Sequence, residues 1–208
     1  MLAATLFAGY KCMGVQMLLA TLLATNKCVG GQMLTKIYLF GGRFFVRNEV
    51  IMNVENGKFY FIKNEFFNLF KGYKLMKNKE NGNKRPCYFC FNDLENEEII
   101  WFVPISSKIE KYKTIYENKS KTRKNVYNFV FGKVLGKEKA FLIQNIFPTT
   151  EEYIESKYQN KMKDVEITES LKTEIIETSI KVIKLAKKGI NIPFYDIIEM
   201  KNILLEDK

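Results

Sequence analysis

The 208-residue chain reads as α+β: a compact, strongly curved antiparallel sheet or small barrel with flanking helices and a C-terminal helical pair. Three observations predict this. Short apolar runs rich in aromatic and β-branched residues recur between residues 58 and 148, with turn-forming residues between them. Five or so such strands within about 90 residues must curl to bury a shared face. After them the apolar spacing changes from a strand period to a helical one. With 47% hydrophobic and 14% aromatic residues, there is enough apolar surface to fill one core.

The chain opens on an imperfect repeat. MLAATLFAGYKCMGVQ is followed by MLLATLLATNKCVGGQ, and ten of the sixteen aligned pairs are identical, among them Lys11 with Lys27 and Cys12 with Cys28. Two copies of sixteen residues are too few and too short for a solenoid. The lysines follow the apolar runs rather than precede them, which is wrong for a signal peptide. The fifteen residues between Lys11 and Lys27 include Gln16, Thr21, Thr25 and Asn26, too short and too polar a stretch for a membrane helix. LTKIYLFGGRFFVRNEVI, which follows, has no clean period.

From Met52 the texture changes. KFYFIK predicts a strand, NEFFNLF a short helix or turn, and KNKENGNK from Lys77 to Lys84 a loop. PCYFCF and IIWFVPI predict a hairpin joined by the acidic NDLENEE, and SSKIEKYKTIY a helix capped by Ser106 or Ser107. VYNFVFGKV and KAFLIQNIF form a second strand pair around the turn LGKE. Leu171, Ile175, Ile176, Ile180, Ile183 and Ala186 make one stripe of a helix that stops at Gly189. Pro193 begins another, with Phe194, Ile197, Ile198, Leu204 and Leu205 toward the core.

Charge and composition narrow the chemistry. The net charge of +10 is uneven: residues 52–148 hold 18 basic and 10 acidic side chains, whereas residues 149–208 hold 10 and 12. A basic half beside a slightly acidic one predicts a polyanion-binding face, for nucleic acid or an anionic membrane surface. There is no histidine, which excludes Ser-His-Asp and Cys-His hydrolases and histidine-based RNA cleavage. Acidic residues are scattered, so no metal site is expected, and the absence of GxxxxGK[ST] and GxGxxG leaves no nucleotide cradle; no cofactor is expected. Cys87 and Cys90 fall in a strand, where residues three apart face opposite ways, and they read as structural thiols of a reducing cytoplasm.

What remains is RPCYFCF followed by VPISSKIEKY. Ser106, Ser107 and Lys108 at the end of a buried strand can grip one phosphate, and Lys111 one helical turn on adds a second positive charge. A cationic neighbour lowers a lysine's pKa and fits it for proton transfer near neutral pH. The plainer reading of the same residues is a serine N-cap followed by solvated lysines.

The order and spacing of KFYFIK, RPCYFCF, VPISSKIEKY and AFLIQNIFPTTEEYI, over residues 56 to 206, resemble the endoribonuclease toxins of type III toxin–antitoxin systems, the ToxN/AbiQ-like group and its CptIN branch. The resemblance implies a curved sheet with helices and sequence-selective, metal-independent cleavage of RNA to a 2′,3′-cyclic phosphate and a 5′-hydroxyl. It carries catalysis to Lys108 and phosphate positioning to Ser106 and Ser107. A contributing basic residue on the preceding strand matches Lys84 or Arg85. Lys111 and Tyr112 join these as expected RNA-binding residues, with Tyr88 and Trp101 as further aromatic platforms, although Trp101 within IIWFVPI reads better as core. Where relatives carry a functional tyrosine this chain has Phe66, with Tyr60 and Tyr73 as alternatives. The implied partners are cellular RNA as substrate and a cognate antitoxin RNA of tandem repeats, in a closed toxin–RNA hetero-oligomer, with no membrane.

The resemblance also accounts for the opening repeat. Antitoxin repeats and a terminator lie upstream of such toxins, so residues 1–51 read as that RNA gene translated from too early a start, with the toxin domain at 52–208. The leader is then expected to be poorly ordered or weakly helical. Two other readings of the chain are a non-catalytic RNA-binding module of similar fold and a membrane-associated protein anchored by residues 1–35.

Overall fold

Whether alternating apolar runs become one sheet or several depends on which edges are left to pair, and here most of them join one sheet. The computed structural model describes residues 31–40, 43–52, 54–80, 82–190 and 192–206. The chain divides into two compact units, Met1–Asn53 and Val54–Lys208.

In the first unit, β1 (Gly31–Phe40) and β2 (Arg43–Met52) pair antiparallel from Gly31↔Met52 to Phe40↔Arg43. The sequence predicts a poorly ordered or weakly helical leader here, and the described residues of it are strand. Ile37, Tyr38, Phe44, Phe45 and Val46 are strand formers, and pairing satisfies their backbone groups. Residues 1–30, which carry all but the last two residues of the repeat, lie outside the described residues.

In the second unit the elements run β3 (Phe59–Ile62), α1 (Asn64–Leu69), β4 (Lys79–Glu80), β5 (Asn83–Lys84), β6 (Cys87–Asn92), β7 (Ile100–Ser106), α2 (Ile109–Ser120), β8 (Val130–Val134), β9 (Lys137–Phe141), β10 (Phe147–Thr149), β11 (Ile154–Lys157), β12 (Gln159–Asn160), β13 (Lys163–Asp164), α3 (Glu169–Lys187) and α4 (Ile197–Glu206). The main sheet is antiparallel, in the order β11-β3-β6-β7-β9-β8, and β10 pairs with β7 beside it. The sheet is not closed into a barrel. The segment read as a loop from Lys77 contains the small β4–β5 hairpin, with Gly82 at φ 80° in its turn.

All seven residues of β7 are buried. On one edge it pairs with β6, and its other edge is shared: Phe102 faces Phe147 of β10, whereas Ile105 faces Phe141 of β9. Pro104 sits at the change of partner. It has no N–H to give to a ladder, and its carbonyl accepts from the Leu142 N–H at 2.9 Å. Proline in a central strand is thus placed where the ladder is interrupted in any case.

The core is aromatic: Phe59, Tyr60, Phe66, Tyr88, Phe89, Trp101, Phe102 and Phe141 are all buried. Cys87, Tyr88, Phe89 and Cys90 are buried in succession, as a strand covered on both faces is, and a register shift follows between Phe89 and Phe91. Both cysteines are free thiols, and burial pushes them above the usual range, Cys87 to about 12. They are unreactive core residues.

The C-terminal helices form as the periodicity predicts, with adjustments. Thr168 Oγ1 caps α3 by accepting from Leu171 N at 3.4 Å. Beyond its C-terminus, Gly189 at φ 77° lets Ile190 N reach Leu185 O and Gly189 N reach Ala186 O, both at 2.9 Å. Ser179 and Val182 are buried on α3, while Ile176 and Ile180 are half-buried, because the stripe rotates slowly around the helix. The last helix starts at Ile197, not at Pro193: Asp196 Oδ1 accepts from Ile198 N at 2.9 Å and Glu199 N at 3.0 Å. Phe194 lies outside it and is exposed.

The helical pair is tied to the β6–β7 loop by a buried ion pair. Lys201 Nζ reaches Asp93 Oδ1 at 2.7 Å, Trp101 Nε1 donates to Asp93 Oδ2 at 2.9 Å, and both charged side chains are less than one-tenth exposed. Burial alone would raise the Asp93 carboxyl, but the bonds from Lys201 and Trp101 outweigh it and hold the pKa below the ordinary value. Burial would likewise lower Lys201, and the bonds to Asp93 and Glu95 raise it instead. Removing one partner strands the other charge, so Lys201→Ala is expected to lose about 3–5 kcal/mol in urea denaturation. In the wild type this stabilisation is fully present between the two titrations. It declines as pH falls through the lowered Asp93 pKa or rises through the raised Lys201 pKa, and a pH series of denaturation midpoints measures it.

Candidate functional site

Antiparallel pairing brings the start of β6, the end of β7, the β8–β9 turn and the residues after β11 to one end of the sheet. They surround a cleft of about 680 Å³. Five cationic residues line it, Lys84, Arg85, Lys108, Lys137 and Lys139, together with Ser107, Tyr158 and Asn160, and none of its lining residues is acidic. Such a lining is electrostatically suited to an anion.

The SSK segment splits its duties. Ser106 ends β7, is buried and faces Ala140 of β9. Its Oγ accepts from Lys108 N at 3.2 Å, which fixes the turn out of the strand. Ser107 and Lys108 then emerge exposed on the cleft wall. The helix cap differs from the sequence expectation: Lys108 is the N-cap of α2 and neither serine caps it by a side-chain bond. The reason is that Ser106 spends its acceptor on the N-cap residue itself, one position too early to serve the helix.

The two basic residues before β6 are both at the cleft. Arg85 Nη1 donates to Ile105 O at 3.0 Å and its Nε to Lys77 O at 3.5 Å, so the guanidinium braces the last turn of chain before the serines. Lys84 is salt-bridged to Glu155 of β11. Across the cleft, Lys139 Nζ donates to Ser107 Oγ at 2.5 Å.

Lys111 and Tyr112 are placed elsewhere. Lys111 Nζ lies 5.6 Å over the Tyr112 ring, and neither residue lines the cleft. Tyr112 belongs to a buried cluster with Phe129, Ala140 and Leu142, its ring 5.3 Å from that of Phe129. As a core residue it has no face to offer a base. Tyr88 and Trp101 are fully buried as well, Trp101 as its apolar surroundings in the sequence predict.

None of the three aromatics considered for the family's tyrosine position lines the cleft. Phe66 is buried against Phe70 and Phe147. Tyr60 is buried, its hydroxyl accepting from Glu55 N at 2.7 Å. Tyr73 packs on Phe70, and burial with a bond to Glu199 pushes its phenol up to about 12. The aromatic at the cleft is Tyr158, whose ring meets those of Phe59 and Phe61 edge-on at 6.5 and 5.5 Å.

Lys137, Lys139, Tyr158 and Asn160 were not legible as site residues in the sequence. KEK on the far side of a hairpin turn reads as solvated surface, and ESKYQN has too few apolar residues to announce β11. A useful signal was the turn itself. Leu135 at φ 51° precedes Gly136 at φ 73°, a non-glycine residue held in the left-handed region at the cleft wall. Among the described residues there is no cluster of acidic or cysteine side chains able to hold a metal, and no helix long and apolar enough to cross a membrane.

No family model matches the chain. No curated protein matches it either. A solved structure that it does resemble concerns bacterial type III toxin–antitoxin systems and the selective inhibition of a toxin by a non-coding RNA pseudoknot. The two are 15% identical, with a TM-score of 0.50, and the likeness covers 73% of this chain and 98% of that one. The chain therefore shares its fold with a protein from a type III toxin–antitoxin system.

Proposed function

We propose that the unit Val54–Lys208 is a metal-independent endoribonuclease toxin of the type III class, kept inactive by a repeat-RNA antitoxin. The observation that carries this is the anion-binding cleft, where Ser107 and Lys108 stand among Lys84, Arg85, Lys137 and Lys139 with no acidic lining residue. The fold likeness to a toxin inhibited by RNA supports it. Nearly all of that chain is matched by 73% of this one, and unit 2 is 155 of 208 residues, about 75%.

The chemistry needs no histidine. A ribose 2′-oxygen attacks the neighbouring phosphorus, the bond from phosphorus to the 5′-oxygen breaks, and the proton lost from the 2′-hydroxyl is balanced by one gained at the leaving oxygen. The protein's part is to hold the three atoms in line and neutralise charge building on the phosphate. Lys108 acts at the reacting phosphate, Ser107 donates to a non-bridging oxygen, and Ser106 holds the turn that presents both. Tyr158 stacks on an unpaired base. Antitoxin RNA occupies the same cleft, and its binding to several copies of the toxin builds a closed toxin–RNA assembly.

We also propose that residues 1–51 are an RNA gene read as protein, supported by their repeat and by the division of the chain after Asn53. Peptide mass spectrometry of the native protein is expected to find residues from 52 onward. A native peptide spanning residues 17 to 47 would overturn this part.

Expression of the segment from Met52 to Lys208 is expected to arrest growth and leave cellular RNA with new 5′-hydroxyl ends. Lys108→Ala, or co-expression of the upstream repeats, abolishes both effects. An arrest that persists in Lys108→Ala with intact RNA would point instead to a non-catalytic RNA-binding module. Tyr158→Ala is expected to weaken RNA binding by about 1–3 kcal/mol in a fluorescence titration without lowering the denaturation midpoint comparably.

A further inference from the structure

The sheet register puts a second lysine beside the serine that faces the phosphate. Ile105 pairs with Phe141 and Ser106 with Ala140, so continuing the antiparallel register sets Ser107 opposite Lys139. The contact is made: Lys139 Nζ lies 2.5 Å from Ser107 Oγ. An ammonium group has three N–H donors and no acceptor, so the hydroxyl must accept here. Its own proton is then directed to another partner, and Ser107 is exposed on the cleft wall. The ammonium keeps further donors for the same anion.

The neighbouring cations are differently committed. Lys84 is salt-bridged to Glu155, and Lys113, on α2 outside the cleft lining, to Glu138 at 3.0 Å. Among the described residues Lys139 makes no ion pair, although Glu138 is its neighbour in sequence. On β9 its backbone pairs with Gly132 of β8, one residue beyond the last β7–β9 pair, Ser106↔Ala140. A lysine whose main chain is fixed in a strand presents its charge with less entropy to lose than one on a loop.

We propose that Lys139 is a positioning residue for RNA cleavage: it fixes Ser107 as a hydrogen-bond donor to a non-bridging oxygen of the scissile phosphate and adds positive charge where negative charge accumulates. This rests on the ribonuclease reading of the cleft. Lys139 acts largely through Ser107, so the two residues form one unit whose losses do not multiply.

The test uses the purified full chain and a short RNA that the wild type cleaves, with single-turnover rate and RNA affinity measured separately. Lys139→Met is expected to reduce the rate by about 10²–10³-fold, the loss typical of one preorganised donor, with affinity falling no more than about tenfold. Ser107→Ala falls in the same range, and the double variant is no slower than the slower single one. Lys139→Arg, which keeps a donor and a charge, regains much of the rate. Full wild-type activity in Lys139→Met, or losses that multiply in the double variant, overturns the proposal. Should Lys139→Met fold poorly, Lys139→Gln takes its place: a rate loss that appears with Ser107 present and vanishes in the Ser107→Ala background is expected, and an equal loss in both backgrounds overturns the proposal. Cleavage by the wild type that Lys108→Ala abolishes keeps the ribonuclease reading standing whatever Lys139 does. A wild type that cleaves no RNA overturns both.

Discussion

A strand can hold a neighbour only where it has backbone groups to share, and β7 has none to donate at Pro104. Its edge is thereby divided, the first half for β10 and the second for β9. The chain between these partners makes a single turn of 3-10 helix at Ile143–Asn145 and is buried throughout. Because β7 meets β9 only through its last two residues, Ile105 and Ser106, the residues that follow β7 lie beside the middle of β9. The cleft depends on this arrangement. Were β10 to run the length of β7, β9 would be displaced and Ser107 would have no lysine opposite.

Stability and function occupy opposite ends of the same strands. β6 starts at the cleft, beside Arg85, and ends at Asn92, next to the buried Asp93. At that far end Asp93, Trp101 and Lys201 join the β6–β7 loop to α4, and Glu95 receives Lys187 of α3 at 2.6 Å. A buried ion pair is weak as a net source of stability, since both charges are desolvated, but its geometry is demanding and it docks the helices in one register. The cleft end gathers five cationic lining residues, whose mutual repulsion is tolerated because the strands beneath are fixed elsewhere.

Within the cleft, rigidity is supplied by neutral acceptors. Arg85 spends its guanidinium on main-chain carbonyls, Ser106 accepts a backbone N–H, and Lys139 is held by a hydroxyl. Carbonyl and hydroxyl oxygens orient a cation without cancelling its charge, so the field at the cleft survives. Lys84 is salt-bridged to Glu155, which partly offsets its charge before any anion arrives.

Local sequence determined the elements: the aromatic strands, the helix ending at Gly189, the hairpins and the SSK segment leaving a buried strand all follow from periodicity and turn chemistry over a few residues. It also determined, through the absence of histidine, which chemistries the chain can run. Tertiary structure decided what depends on register between distant segments. It buried Tyr112 against Phe129 and brought Tyr158 to the cleft, since a face is chosen by packing and not by residue type. Cover on both faces of β6 buried both cysteines, although they lie three apart in the strand. Most of all it set Lys139 opposite Ser107, 32 residues apart in the chain, because antiparallel pairing fixes such neighbours one residue at a time while nothing near either residue announces the other.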